Sequence, residues 1–190
     1  ELKVLDSFRD AATPGGEFEA GEVAITFLAT IFKKVKLNTH ENVGWGKIAI
    51  PEESFHTSGM WLSFDEPATR DLDRDQVATG LAGIAHVLRN IAPVYCLCDA
   101  RDIGAEAQVR SPHSQRPAVY LYDMVPGGVG LSDRLFDVRD ELLEAALAMV
   151  LACPCDNGCP TCVGPQVESN PRAKHSAVLL LERVSGARAS

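Results

Sequence analysis

Positive charge is scarce in this sequence: 18 lysines and arginines face 26 aspartates and glutamates, giving a formal charge of −8 and a pI near 5.1. A free-standing nucleic-acid binder usually presents a basic footprint, so that class is disfavoured. A local basic face from Arg101, Arg110, Arg116, Arg172, Lys174 and His175 is left open. No apolar run reads as long enough to cross a membrane and no signal peptide is evident, so no membrane partner is expected. No G-x-x-x-x-G-K-[ST] stretch occurs, which leaves no phosphate loop to bind ATP. Internal repeats and low-complexity segments are also lacking. What is present is 46% hydrophobic residues in 190, enough for one domain to bury a core without help from a metal. A start at Glu1, inside an apparent strand and without an initiator Met, predicts that residues 1–190 are one domain excised from a longer protein. The cytoplasm is its default location.

The pattern predicts an α+β fold whose first third is mainly strand. Glu1 to Phe8 reads as an edge strand, Ala11 to Gly21 as a loop, and Val23 to Leu37 as one or two strands. Short strands follow at Trp45–Ile50 and Met60–Phe64. From Asp75 the period changes, with Val77, Leu81, Ile84, Leu88 and Ile91 at helical spacing. Val94–Cys98 and Ala118–Tyr122 read as strands, Ser132–Ala152 as one helix, and Asn170 and Pro171 as the N-cap and first position of a last helix. Together these predict helices packed on a mixed sheet.

The most informative stretch is Cys153-Pro-Cys155-Asp-Asn-Gly-Cys159-Pro-Thr-Cys162. Four thiols within ten residues, spaced C-x-C-x3-C-x2-C, suit a tetrahedral zinc whose closed thiolate shell is structural. Gly158 gives the loop access to positive φ, and Pro160 stiffens the closing turn. The alternatives are two disulfides, which fit a reducing compartment poorly, or thiols that cluster without a common partner.

Other groups are weaker candidates. Cys96 and Cys98 lie two apart on the expected strand and read as buried small hydrophobes. Asp99, Asp102 and Asp123 sit at expected strand ends, where they would hold magnesium for a nuclease or cap loops. Pro126-Gly127-Gly128-Val129-Gly130 offers backbone N–H groups to a phosphate, or simply a tight turn, which is the favoured reading. Asp65-Glu66-Pro67-Ala68 looks like a helicase acidic box, but with no phosphate loop upstream it reads as coincidence. Trp45 and Trp61 are candidates to stack on nucleic-acid bases, with burial as the alternative.

His86-Val-Leu, Cys98-Asp-Ala-Arg-Asp-Ile-Gly104, Tyr122-Asp-Met-Val-Pro-Gly-Gly-Val-Gly-Leu131, the four cysteines and Asn170-x3-Lys174-x2-Ala177 together resemble one family. It is the zinc-binding (MZB-type) domain at the C-terminal end of the mitomycin-repair type of superfamily 2 DEAD/DEAH-box DNA helicases. The resemblance runs from about Thr39 to Leu181, and Ala173 departs from it where the family often has an acid. It implies that Cys153, Cys155, Cys159 and Cys162 ligate a structural zinc. It also implies motor domains elsewhere in the same protein that use ATP and Mg2+ and move on single-stranded or duplex DNA during repair. Arg172 and Lys174, with the tryptophans, are the expected nucleic-acid or interface contacts. The domain itself is then an accessory part rather than an enzyme; a docking module of a repair or defence complex is the other non-enzymatic reading.

Overall fold

The computed structural model describes residues 1–29, 31–39, 41–48, 50–164 and 172–186. The α+β expectation holds: a five-stranded sheet carries a layer of helices on one face. β1 (Leu2–Thr13), β2 (Gly16–Phe27), β5 (Glu53–Phe64), β6 (Ile103–Gln108) and β7 (Ala118–Asp123) are ordered β1-β2-β5-β7-β6. Every pairing is antiparallel, so the sheet is not mixed. A separate ribbon, β3 (Ile31–Val35) with β4 (Asn42–Lys47), lies between β2 and β5 in the chain.

The expected loop at Ala11–Gly21 is a hairpin, because Pro14 and Gly15 alone make the turn between Thr13 and its partner Gly16. Strand β6, reading Ile-Gly-Ala-Glu-Ala-Gln, was not expected, since all but its first residue are poor strand formers. It is held by its partner β7 instead of by its own propensity.

Period-two alternation divides the buried side chains between the sheet's faces. Phe18, Met60, Leu62, Phe64, Val119 and Leu121 meet the helices, while Val23, Ile25, Trp61, Ala118, Tyr120 and Tyr122 form a second cluster on the opposite face. The sheet curls over that second cluster: Gln108 of one edge strand donates from Nε2 to the Leu2 carbonyl of the other at 3.0 Å.

The helical layer comprises α1 (Glu66–Thr69), α2 (Arg74–Cys96), α3 (Leu131–Asp137), α4 (Arg139–Ala152) and α5 (Ala173–Ser185). Asp73 and Gln76 start α2 with a reciprocal capping box. The helix was expected to stop near Ile91, with a strand after Pro93. It runs on to Cys96, because a proline removes one ladder bond without preventing the next turn, and the Pro93 carbonyl takes the Leu97 and Cys98 amides. At 23 residues, α2 is therefore long and apolar enough to cross a membrane, contrary to the reading from its apparent length. Its apolar face, including Val77, Leu81, Ile84, Leu88 and Ile91, is buried against the sheet and other helices. Gly80 and Gly83 let α5 approach closely: a methyl at Gly83 would sit 3.0 Å from Val163 Cβ and 3.2 Å from Ala177 Cβ.

The single helix expected over Ser132–Ala152 is broken at Val138, whose φ of −106° and ψ of 19° lie outside the helical range. Apolar spacing cannot show a one-residue break, since both halves keep their buried faces. The last helix begins at Ala173 after Arg172, and the caps expected at Asn170 and Pro171 lie outside the described residues.

Candidate metal centre

The end of α4 delivers Cys153, and the chain then turns back on itself so that all four thiols converge. Their sulfurs lie within 4.8 Å of one another. Cys153 is 3.5 Å from Cys155 and 3.5 Å from Cys159; Cys162 is 3.5 Å from Cys155 and 3.6 Å from Cys159. A zinc with Zn–S bonds of about 2.3 Å would hold tetrahedral sulfurs about 3.7–3.8 Å apart. The cluster thus has the size and donor chemistry of a four-thiolate zinc site, and the sulfurs are free thiols rather than disulfides. Gly158 makes the reversal with φ of +130°, and a side chain there would also collide with Val163 at 2.7 Å.

The thiols are unequal. Backbone N–H groups of Cys162 and Thr161, with help from the neighbouring thiols, pull Cys159 down to about 6. Partial burial, then hydrogen bonding with Cys162 and Cys153, pushes Cys155 up to about 12. One sulfur is therefore an anion at neutral pH, while another gives up its proton only in exchange for a cation.

Two side chains from distant helices brace the loop. His86 on α2 donates from Nε2 to the Pro160 carbonyl at 2.7 Å. Lys174 on α5 donates from Nζ to the Cys153 and Cys155 carbonyls at 2.6 and 2.8 Å, and its amide bonds the Asn157 carbonyl. Lys174 was expected among nucleic-acid contacts; its ammonium is engaged within the loop instead. The placement also sets a positive charge beside a cluster that stays anionic when four thiolates meet one divalent ion. Charge-assisted bonds of this kind contribute about 1.5–3 kcal/mol each. Lys174→Met should accordingly speed zinc loss to a chelator, read with a colorimetric zinc indicator. An unchanged rate would show that the contacts do not hold the loop.

The other candidates are accounted for by structure. Trp61 has no accessible surface, donates from Nε1 to Glu19 at 2.8 Å and packs on Tyr120, so it cannot stack on a base. Trp45 on β4 is 65% exposed. Asp99, Asp102 and Asp123 do not share an ion site: among the described residues only the four cysteines form a group able to hold one. Asp99 and Asp102 close the turn after α2, where Asp102 accepts from the Asp99 amide and Asp99 pairs with Arg101. Asp123 is fully buried and accepts from the amides of Val129, Leu131 and Ser132 at 2.8, 3.2 and 2.9 Å, and from the Ser132 hydroxyl. The glycine loop does present amides to an anion, but the anion is the chain's own carboxylate. Cys96 and Cys98 sit at the helix end rather than on a strand and are half-buried, not fully buried.

Of the residues that left a local basic face open in the C-terminal half, four have polar partners within the fold. Arg101 pairs with Asp99, Arg116 with Glu17 and Asp65, Arg110 bonds Gln115, and Lys174 serves the loop. The Arg116–Asp65 pair, 2.6 Å long, also explains the Asp65-Glu66-Pro67-Ala68 stretch as the start of α1.

A helical layer stapled beside an antiparallel sheet by a closed set of four thiols defines a structural zinc-binding domain. The chain belongs to the family of the MrfA Zn-binding domain (MZB), which it matches over residues 84–163. It is 38% identical over 185 residues to the ATP-dependent helicase YprA of Bacillus subtilis (strain 168), covering 97% of this chain and 24% of that protein. It is 25% identical over 183 residues to the ATP-dependent helicase HRQ1 of Saccharomyces cerevisiae, covering 86% and 16%. A crystal structure of the DUF1998 helicase MrfA bound to DNA is similar with a TM-score of 0.78 at 38% identity, over 96% of this chain and 24% of that one. The chain thus spans about a quarter or less of the helicases it matches.

Proposed function

We propose that this chain is the zinc-stapled accessory domain of an ATP-dependent DNA repair helicase, in which Cys153, Cys155, Cys159 and Cys162 ligate one structural zinc. The observation that carries the reading is the convergence of the four sulfurs within 4.8 Å. Zinc would lock the connection from α4 to α5, and so fix the helical layer as a surface for motor domains of the same protein and for DNA. The motor domains, not this stretch, would supply ATP and Mg2+ chemistry in the cytoplasm. Support comes from the likeness to helicases, one of them crystallised with DNA. The nuclease alternative is not favoured, because Asp123 is enclosed by its own loop.

Metal analysis of reduced, natively folded protein should find one zinc per chain. Cys159→Ser should lower that stoichiometry together with the melting temperature. A full complement of zinc in the variant would overturn the ligand assignment.

A further inference from the structure

Apart from Lys3 and Lys174, the lysines of the chain gather on one element. Between residues 31 and 47 the β3–β4 ribbon carries Lys33, Lys34, Lys36 and Lys47 against a single acid, Glu41, in a protein of net charge −8. Every residue of β3 is exposed. On this projecting element the aromatic side chains are not core. Trp45 is 65% exposed and Phe32 42%.

The register sorts these groups. Lys33 lies directly opposite Trp45, and Lys47 is two residues farther along β4, so the three share one face of the ribbon. An indole is thereby flanked by two ammonium groups. On the other face the Phe32 ring lies across Gly46, where any side chain would meet it at 2.4 Å, and the Lys34 ammonium stands 5.7 Å from the ring centre. Each face therefore repeats the same unit, a flat ring beside a mobile cation. Glu41 is engaged by Lys36 at 2.9 Å, which removes the one opposing charge from the flanks of Trp45.

A ring beside ammonium groups fits a polymer with a stackable base and a phosphate at every step. Stacking needs bases that are not already paired, which selects a single strand over a duplex. We infer that the β3–β4 ribbon is a binding site for single-stranded DNA, with Trp45 stacking on a base and Lys33 and Lys47 contacting the flanking phosphates. The inference rests on the reading of this chain as part of a DNA helicase and gives that reading a specific surface.

The protein has two tryptophans and the other, Trp61, is buried beyond reach of a bound base, so quenching by a bound strand reports on Trp45. The zinc-loaded 190-residue chain, titrated with an oligo(dT) strand at low salt, should show quenching of Trp45. Trp45→Ala should weaken binding, measured by anisotropy of a labelled strand, by about 5- to 100-fold. Lys33→Ala with Lys47→Ala should reduce the slope of log affinity against log salt by about 1.4. All three positions are exposed, so zinc content and melting temperature should stay at parental values. Variants that bind like the parent, binding without quenching, absence of binding, or equal affinity for a blunt duplex would each overturn the ribbon assignment while zinc content stays intact. Loss of zinc from the parent chain would instead overturn the zinc-domain reading.

Discussion

Asp123→Ala should melt about 6–20 °C below the parent protein by far-ultraviolet circular dichroism. Asp123 is enclosed, and its two oxygens serve three backbone amides and one hydroxyl at the start of α3. Alanine would leave these donors facing a dry interior. A single unsatisfied buried donor costs about 1–3 kcal/mol, and the group together about 3–5 kcal/mol after local relaxation. In a protein of this size each kcal/mol corresponds to roughly 2–4 °C. Asp123→Asn should fall between the two, since it keeps one acceptor oxygen but turns an NH2 group toward the amides. A melting temperature unchanged in both variants would mean that the loop is held by its glycine geometry alone. The same arithmetic explains why a glycine-rich turn here is not a phosphate site: a carboxylate built into the sequence already fills the place an anion would take.

Zinc removal should have a comparable or larger effect, concentrated in one part of the fold. Structural zinc contributes about 10–16 kcal/mol of apparent free energy in small zinc domains, of the order of the stability of a whole domain. Even 4 kcal/mol would lower the midpoint by about 8–16 °C. Chelation should raise hydrogen exchange in the cysteine loop and along α5, whose Ala177 meets α2 beside Val163. β2, β5 and β7, with their own apolar partners on both faces, should stay protected longest. Uniform loss of protection across sheet and helices would show that the metal holds the entire domain.

Acid should act in the same direction as the chelator. Metal binding at neutral pH must displace the proton of Cys155, whose thiol is pushed up to about 12. Apparent zinc affinity should therefore rise by about a decade per pH unit from this group alone. Below about 6, Cys159 takes up a proton as well, and the dependence steepens. An affinity independent of pH between 6 and 8 would exclude a protonated thiol in the metal-free site.

Much of the site could be read from the chain because it is local. Four cysteines within ten residues need only one short loop to meet, and the glycine that reverses it lies between them. The strands Met60–Phe64 and Ala118–Tyr122 were legible for a similar reason, since their own apolar residues announce them. Lys174 and His86 were not: nothing in their neighbourhoods shows that both end on carbonyls of the same cysteine loop, the latter 74 residues away. Trp61 and Trp45 both fall in stretches that read as strand and have opposite fates. Only the sheet decides that one lies under Tyr120 and the other projects from a ribbon.

By itself the sequence determined the composition of the metal site, the α+β class and the family, because each depends on residue types at short spacing. Tertiary structure decided which charges are available. It paired Arg101, Arg116 and Arg183 with acids of the same chain, turned Asp123 inward on its own loop, and left the lysines of β3 and β4 outside. The physical reason is that the fate of a charge depends on which opposite charge or polar group folding brings within a few ångströms, and those partners here lie as far as 128 residues away, as in Arg9 and Asp137.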